Sequence, residues 1–251
     1  MIFHHKHNEI SDPHFRWRGH EMSRVEAFSD AVFAFAVTLL VVSLEVPHTF
    51  TQLKDAMLGF PVFAVCFTFL ILVWQEHIQF YRRYGLQDNA TMVWNSILLF
   101  VVLFYVFPLK FLFTVLIAAW SHGATLGSHP DAIHLTDSDF PGLMLTYSLG
   151  YSAVYLVFAL LYRHARALKD ALGLNELEYF ITDREYKVNL GMMFIGLFSA
   201  SLTFVLPGRW MGLTGMVYMI IPIYRTIEGT IMGKKQKELS IKYPVHHGIS
   251  E

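Results

Sequence analysis

The chain has 251 residues, of which 54% are hydrophobic, 16% aromatic and 16% charged, with a formal net charge of −1. Ordinary soluble domains carry about a quarter charged residues, so this composition argues against one; the net charge itself says little about partners, since local charge is what matters, and no nucleic-acid partner is expected. A single cysteine, Cys66, lies in an apolar run, which excludes an internal disulfide and reads as a small buried apolar residue.

The opening stretch up to Arg24 is polar and shows no cleavage pattern ahead of an apolar core, so residues 1–23 read as a cytoplasmic N-terminal segment rather than a signal peptide. A helix needs about 20 mostly apolar residues to cross the hydrocarbon core. Six segments meet or approach that length. The first runs from about Val25 to Val46 and is closed by Pro47. The second covers about Ala56 to Trp74 and continues in polar form to Tyr81. The third, about Met92 to Trp120, contains Pro108 and Lys110; that lysine is expected to snorkel outward or to pair. The fourth covers about Pro141 to Tyr162. A charged stretch, Arg163–Lys187, then mixes Leu, Tyr and Phe with polar residues and is expected to form an amphipathic cytoplasmic helix. The fifth and sixth spans, Val188 to Leu206 and Trp210 to Ile227, read as a hairpin parted by Pro207, Gly208 and Arg209. Residues 233–251 form a polar C-terminal tail. Gly191, Gly196, Ser199, Gly212 and Gly215 are placed to let the helices approach closely.

Basic residues supply an independent test of this alternation. With six spans, 16 of the 19 Lys and Arg residues fall on one side, and the loop 121–139 on the other side has none. The positive-inside rule then makes both termini cytoplasmic. The fold class expected is all-α: a multi-pass protein of the cell's inner membrane with six transmembrane helices.

Chemistry concentrates in the first span. Ser29 and Asp30 lie near its cytoplasmic end, one turn past Arg24. Carboxylates in a membrane pair, line water or serve a function, and pairing with Arg24 is the plainest use of this one. At 3.6 residues per turn Phe28, Phe35, Leu39, Val42 and Val46 share one stripe, with Ala31 and Thr38 on one shoulder. Such a stripe faces lipid, packs within a bundle, or lines a pore that closes by dewetting, and periodicity does not choose among the three.

The string Arg24-x-x-x-Phe28-Ser29-Asp30-Ala-Val-x-Ala-x-Ala-x-Thr38-Leu39-Leu40 resembles the signature of the transmembrane-protein-175 potassium channels, in their short prokaryotic form. Trp74-x-x-His77, the Arg82–Arg83 turn, Trp94–Asn95 and Pro108 follow the same layout. The resemblance implies a potassium-permeable channel with no carbonyl-loop filter, and no Thr-Val-Gly-Tyr-Gly segment occurs here. One motif copy implies a homotetramer in the lipid bilayer, with 24–232 as the channel domain and potassium, among monovalent cations, as the permeant species. It also implies that the first helix lines the pore and that Phe35, Leu39 and Val42 form the constriction. Thr38 is then the polar residue nearest the ion path. Arg24, Phe28, Ser29, Asp30, His77, Trp94 and Asn95 become a supporting network rather than ion ligands. Phe35 departs from the Ile or Leu usual at its position, and Val42 is smaller than the usual Leu.

Other signals are weaker. His4, His5, His7, His246 and His247 lie in polar termini that nothing rigid holds as a metal site. Glu76–His77 lacks the second histidine of a zinc protease motif, and Ser96, Ser148 and Ser152 have no evident base beside them. No enzyme activity, catalytic residue, metal or cofactor is therefore expected. The rival reading is a secondary transporter with Asp30 and Glu45 as coupling sites, although the first span has no internal Gly or Pro to break it and no second motif copy exists.

Overall fold

A computed structural model describes residues 12, 14–19, 21–42, 48–50, 53–54, 57, 60–120, 139–206 and 212–243, without the side chains of 42 and 116–120. Every regular element among these residues is helical: α1 (Arg24–Val42), α2 (Phe60–Tyr84), α3 (Asn89–Trp120), α4 (Phe140–Ala167), α5 (Glu176–Leu202), the short α6 (Gly212–Met216), a 3-10 turn (Val217–Met219) and α7 (Ile220–Lys242). Three of them, α2, α3 and α4, are by length and composition able to cross a membrane. The expected turn at 207–209 lies outside the described residues, as do the terminal histidines.

Capping chemistry decides where several helices begin. Ser23 Oγ accepts from Glu26 N at 3.2 Å while the Glu26 carboxylate accepts from Ser23 N at 3.1 Å, a reciprocal box that starts α1. Asn175 and Glu178 form the same box at the start of α5. Pro141 occupies the first turn of α4, where its missing N–H leaves no bond unmade. Asp88 caps α3 by accepting from Thr91 Oγ1 at 2.6 Å and Ala90 N at 3.2 Å. It also meets His164 Nε2 of α4 at 2.8 Å. Partial burial pushes the Asp88 carboxyl up, but the Thr91 and His164 hydrogen bonds and the His164 charge together hold it below its ordinary value.

The stretch 163–187 differs from the expected amphipathic helix. Instead, α4 runs on to Ala167 and α5 starts at Glu176, with a turn between them. Gly173, at φ +57°, supplies the left-handed residue of that turn, and the Asn175 box restarts the chain as a new helix. α7 likewise continues past Gly233 to Lys242.

The helices group as two trios: α1 packs on α2 and α3, α3 passes contact on to α4, and α4, α5 and α7 pack in sequence. Between the trios sits an aromatic cluster of buried rings. Phe80 lies 5.4 Å from Tyr162 and 5.1 Å from Tyr84, with Phe15 of the N-terminal segment 5.4 Å from Tyr84. Lys110 Nζ reaches the Leu40 carbonyl at 3.4 Å, across the α1–α3 contact.

α4 and α5 make the most extensive contact, joined by hydroxyls. Ser148 Oγ donates to Ser199 Oγ at 3.0 Å and Ser199 Oγ donates to the Thr214 carbonyl at 2.9 Å. Gly196 makes this approach possible, because a Cβ there would overlap Ser152 Oγ and lie 3.1 Å from the Ser148 carbonyl. Gly196→Ala is therefore expected to lower stability by about 1–3 kcal/mol, as overpacking of a tight contact does, read as a drop in the thermal midpoint of the detergent-purified protein.

Candidate functional site: the first helix and its polar anchor

The buried face of α1 carries Ser29, Phe33, Ala36 and Leu40, all turned onto α2 and α3. Its other face is uncovered in the single chain: Phe28 is 64% exposed and Phe35 56%, with Ala31 and Thr38 exposed beside them. Ala31 and Thr38 occupy the middle of this arc, and Ala27, Ala34 and Val41 form its far flank. Leu39 sits at the near edge, half-buried against the core. Val42 ends α1, but its side chain lies outside the described residues, as does all of Glu45.

Thr38 is exposed, yet its hydroxyl proton is committed: Oγ1 donates to the Phe35 carbonyl at 2.7 Å. What remains pointed outward is an oxygen with free lone pairs, able to accept but not to donate.

Behind this face a directional hydrogen-bond chain fixes the helix. His77 Nε2 of α2 meets Asn95 Oδ1 of α3 at 2.9 Å. Asn95 Nδ2 donates to Ser29 Oγ at 2.9 Å, and Ser29 Oγ donates to the Val25 carbonyl at 2.8 Å. Because the Asn95 amide uses its nitrogen toward Ser29, its oxygen is the acceptor, which assigns the proton to His77 Nε2. Phe33 packs 5.6 Å from the His77 ring and helps keep water out. A second tie is made by Trp74, whose Nε1 donates to Asp30 Oδ1 at 2.8 Å.

Of the seven residues expected in the network, Ser29, His77 and Asn95 are thus directly linked, and Asp30 is anchored beside them. Arg24 is exposed and makes no hydrogen bond or ion pair among the described residues, so the pairing of Asp30 with Arg24 is not formed. Trp94 is half-buried and packs against the apolar core. Phe28 belongs to the exposed arc. Trp74 as the partner of Asp30 was the piece missing from the sequence reading, although its i, i+3 spacing to His77 places both on one face of α2.

The second anchor lies at the helix ends near the start of α1. Glu178 is fully buried. It accepts from Arg18 Nη2 at 2.7 Å and from the Arg16 backbone N–H at 3.0 Å, while Arg18 Nε donates to the Leu172 carbonyl at 2.8 Å. Arg83 pairs with Asp12 at 2.9 Å and with Glu185 at 3.6 Å. Arg18 N and Gly19 N donate to the Arg82 carbonyl at 3.0 and 3.1 Å. The segment before α1 is thereby clasped to the α2–α3 turn and to the α4–α5 turn. Among the described residues no three His, Cys, Asp or Glu side chains gather as a metal site.

Apolar helices in two trios, with a polar relay locked behind a bare first helix, define an all-α polytopic membrane protein. Residues 24–105 match the model of a family described as the endosomal/lysosomal potassium channel TMEM175. The chain is 38% identical over 235 residues to a potassium channel of Marivirga tractuosa, covering 91% of this chain and 94% of that one. It is 32% identical over 153 residues to a potassium channel of Chamaesiphon minutus, covering 58% of this chain and 66% of the relative. A crystal structure of a threonine-to-alanine variant of the potassium channel MtTMEM175, bound to a nanobody–MBP fusion, superposes with TM-score 0.78 at 37% identity, covering 89% of this chain and 99% of that one. The crystal structure of a lysosomal potassium-selective TMEM175 homologue from Chamaesiphon minutus gives TM-score 0.52 at 26% identity over 81% of this chain and 95% of that one. The chain belongs to the TMEM175 family.

Proposed function

We propose that the protein is a potassium-permeable channel of the inner membrane, built from four copies of this chain around a central axis. The α1 helices line the path, all six long helices cross the bilayer, and both termini face the cytoplasm, where the basic residues gather. The observation that carries this reading is the bare arc of α1, whose opposite face is held rigidly by Ser29, Asn95 and His77. A helix anchored so firmly on one side and uncovered on the other suits a pore wall. Phe35, Leu39 and Val42 form the constriction, which closes by excluding water rather than by physical blockage of a filter. The small residues Ala27, Ala31 and Ala34 let neighbouring first helices approach closely.

In this arrangement Thr38 contributes an acceptor oxygen from each subunit beside the constriction, since its proton is held by the Phe35 carbonyl. Potassium uptake by proteoliposomes containing the purified protein tests conduction, and an absence of flux sinks the channel reading. Thr38→Val keeps the shape and removes the acceptor. Its potassium preference over sodium, read from bi-ionic reversal potentials, is expected to fall by about fivefold, the equivalent of ~1 kcal/mol. An unchanged ratio removes Thr38 from the selectivity mechanism.

A further inference from the structure

A cavity of about 720 Å³ opens between α2, α4, α5 and α7, away from the α1 arc. Its size falls within the roughly 300–1,000 Å³ typical of clefts that take small organic ligands. Its lining changes character in one direction along three helices. On α2 it passes from Leu72 and Val73 to Arg82, ~15 Å along the axis at 1.5 Å per residue. On α7 it passes from Ile221 to Arg225, and on α5 from Met192 to Asn189. The apolar end therefore lies toward the middle of the membrane and the charged end toward the side where the basic residues gather.

The charges in that lining are not equivalent. Asp12 is ion-paired with Arg83 at 2.9 Å. Glu76, deeper in the cavity, accepts from Tyr162 OH at 3.1 Å and from Asn189 Nδ2 at 3.4 Å. The two cations at the rim are less engaged. Arg82 lies over the Trp17 ring at 5.1 Å, and Arg225 makes no hydrogen bond or ion pair among the described residues. Two arginines from different helices in one lining, next to its apolar stretch, match a phosphate group carrying acyl chains.

We infer that this cavity is a binding site for an anionic phospholipid of the cytoplasmic leaflet, its phosphate between Arg82 and Arg225 and a chain along Leu72, Met192 and Ile221. The inference rests on the cytoplasmic placement of the Arg82 end proposed above, but not on conduction, and its test reads binding alone.

The test titrates the full-length protein in detergent with dioleoyl phosphatidylglycerol and follows the midpoint of thermal unfolding. A ligand that binds the folded state raises that midpoint saturably. The expected result is such a rise with phosphatidylglycerol and none comparable with phosphatidylcholine. In Arg225→Ala the lipid concentration for half the effect should increase about tenfold, with Arg225→Lys nearer the wild type. Equal responses to both lipids, or an Arg225→Ala protein that responds as the wild type does, overturn the site. A full response to glycerol phosphate, which has the charge without the chains, overturns the lipid in favour of a free phosphate. Ile221→Trp fills the apolar half and is expected to abolish the response with the assembly's mass unchanged. Dissociation of the assembly in that variant instead assigns the cavity to a second copy of the chain and overturns the proposal.

Discussion

Phe35→Ala is expected to raise potassium flux through proteoliposomes by about tenfold or more, the equivalent of lowering a dewetting barrier by ~1.4 kcal/mol. Phe35 is 56% exposed on α1, so its ring is not part of the packing that holds the helix. Truncation should therefore widen the path without unfolding the protein. In the proposed tetramer, four rings replaced by four methyl groups would leave room for water to remain in the constriction, and a hydrated ion would no longer meet a dry gap. Leu39→Ala should act in the same direction but less, because Leu39 stands at the edge of the exposed arc and is half-buried against the core. Its truncation also costs some stability, about 2 kcal/mol on the scale of partly buried leucines. The order of the two effects is itself informative. A larger response at Leu39 than at Phe35 means that α1 is rotated in the assembly relative to its exposed arc, and a null response at both removes α1 from the pore wall.

Much of the architecture is written in hydropathy. The first five expected spans overlap α1 to α5, and the sixth overlaps α6, the 3-10 turn and the start of α7, because each carries an apolar run that only a membrane or a core can take. The ends were harder to read. α5 begins at Glu176, well before the expected Val188, because the Asn175 capping box starts it and its polar first turns are buried through Leu177, Glu178, Ile181 and Thr182. Hydropathy treats such a segment as exposed. The site was legible in part for a similar reason. A string such as Arg24 to Leu40 marks the helix whose outer arc is bare in the single chain, and Ser29, His77 and Asn95 do meet. Periodicity, however, centred the stripe on Phe28, Phe35 and Leu39, whereas the exposed arc is centred on Ala31 and Thr38. The difference arises because apolar side chains serve both faces of α1, and only the neighbours α2 and α3 decide which face they cover. The clasp around Glu178 was beyond reach of sequence patterns, since it joins residues some 160 positions apart through a backbone N–H and a guanidinium.

That clasp carries the largest stability effect expected. Glu178→Ala should destabilise the protein by about 3–5 kcal/mol, because it leaves the Arg18 guanidinium uncompensated in a buried setting. The Arg18 side chain is only 14% exposed and lies 2.7 Å from the carboxylate it would lose. The same substitution removes the acceptor for Arg16 N and half of the Asn175 capping box, so the start of α5 frays along with the N-terminal segment. Glu178→Gln retains the shape and one acceptor oxygen and should lose about 1–3 kcal/mol. Thermal unfolding in detergent reads both values, and limited trypsin cleavage after Arg16 and Arg18 should accelerate in the same order. A loss below about 1 kcal/mol in Glu178→Ala would mean that the Arg83 pairs and the Phe15 packing hold the segment by themselves. The consequence reaches α1 through the chain itself: Gly19, bonded to the Arg82 carbonyl, stands just before the Ser23 cap of that helix. Freeing the clasp therefore loosens the base of the helix whose far face carries Phe35 and Thr38. Glu178→Ala should broaden the spread of flux values among vesicles while leaving the effect of Phe35→Ala in place, since the two residues share no partner.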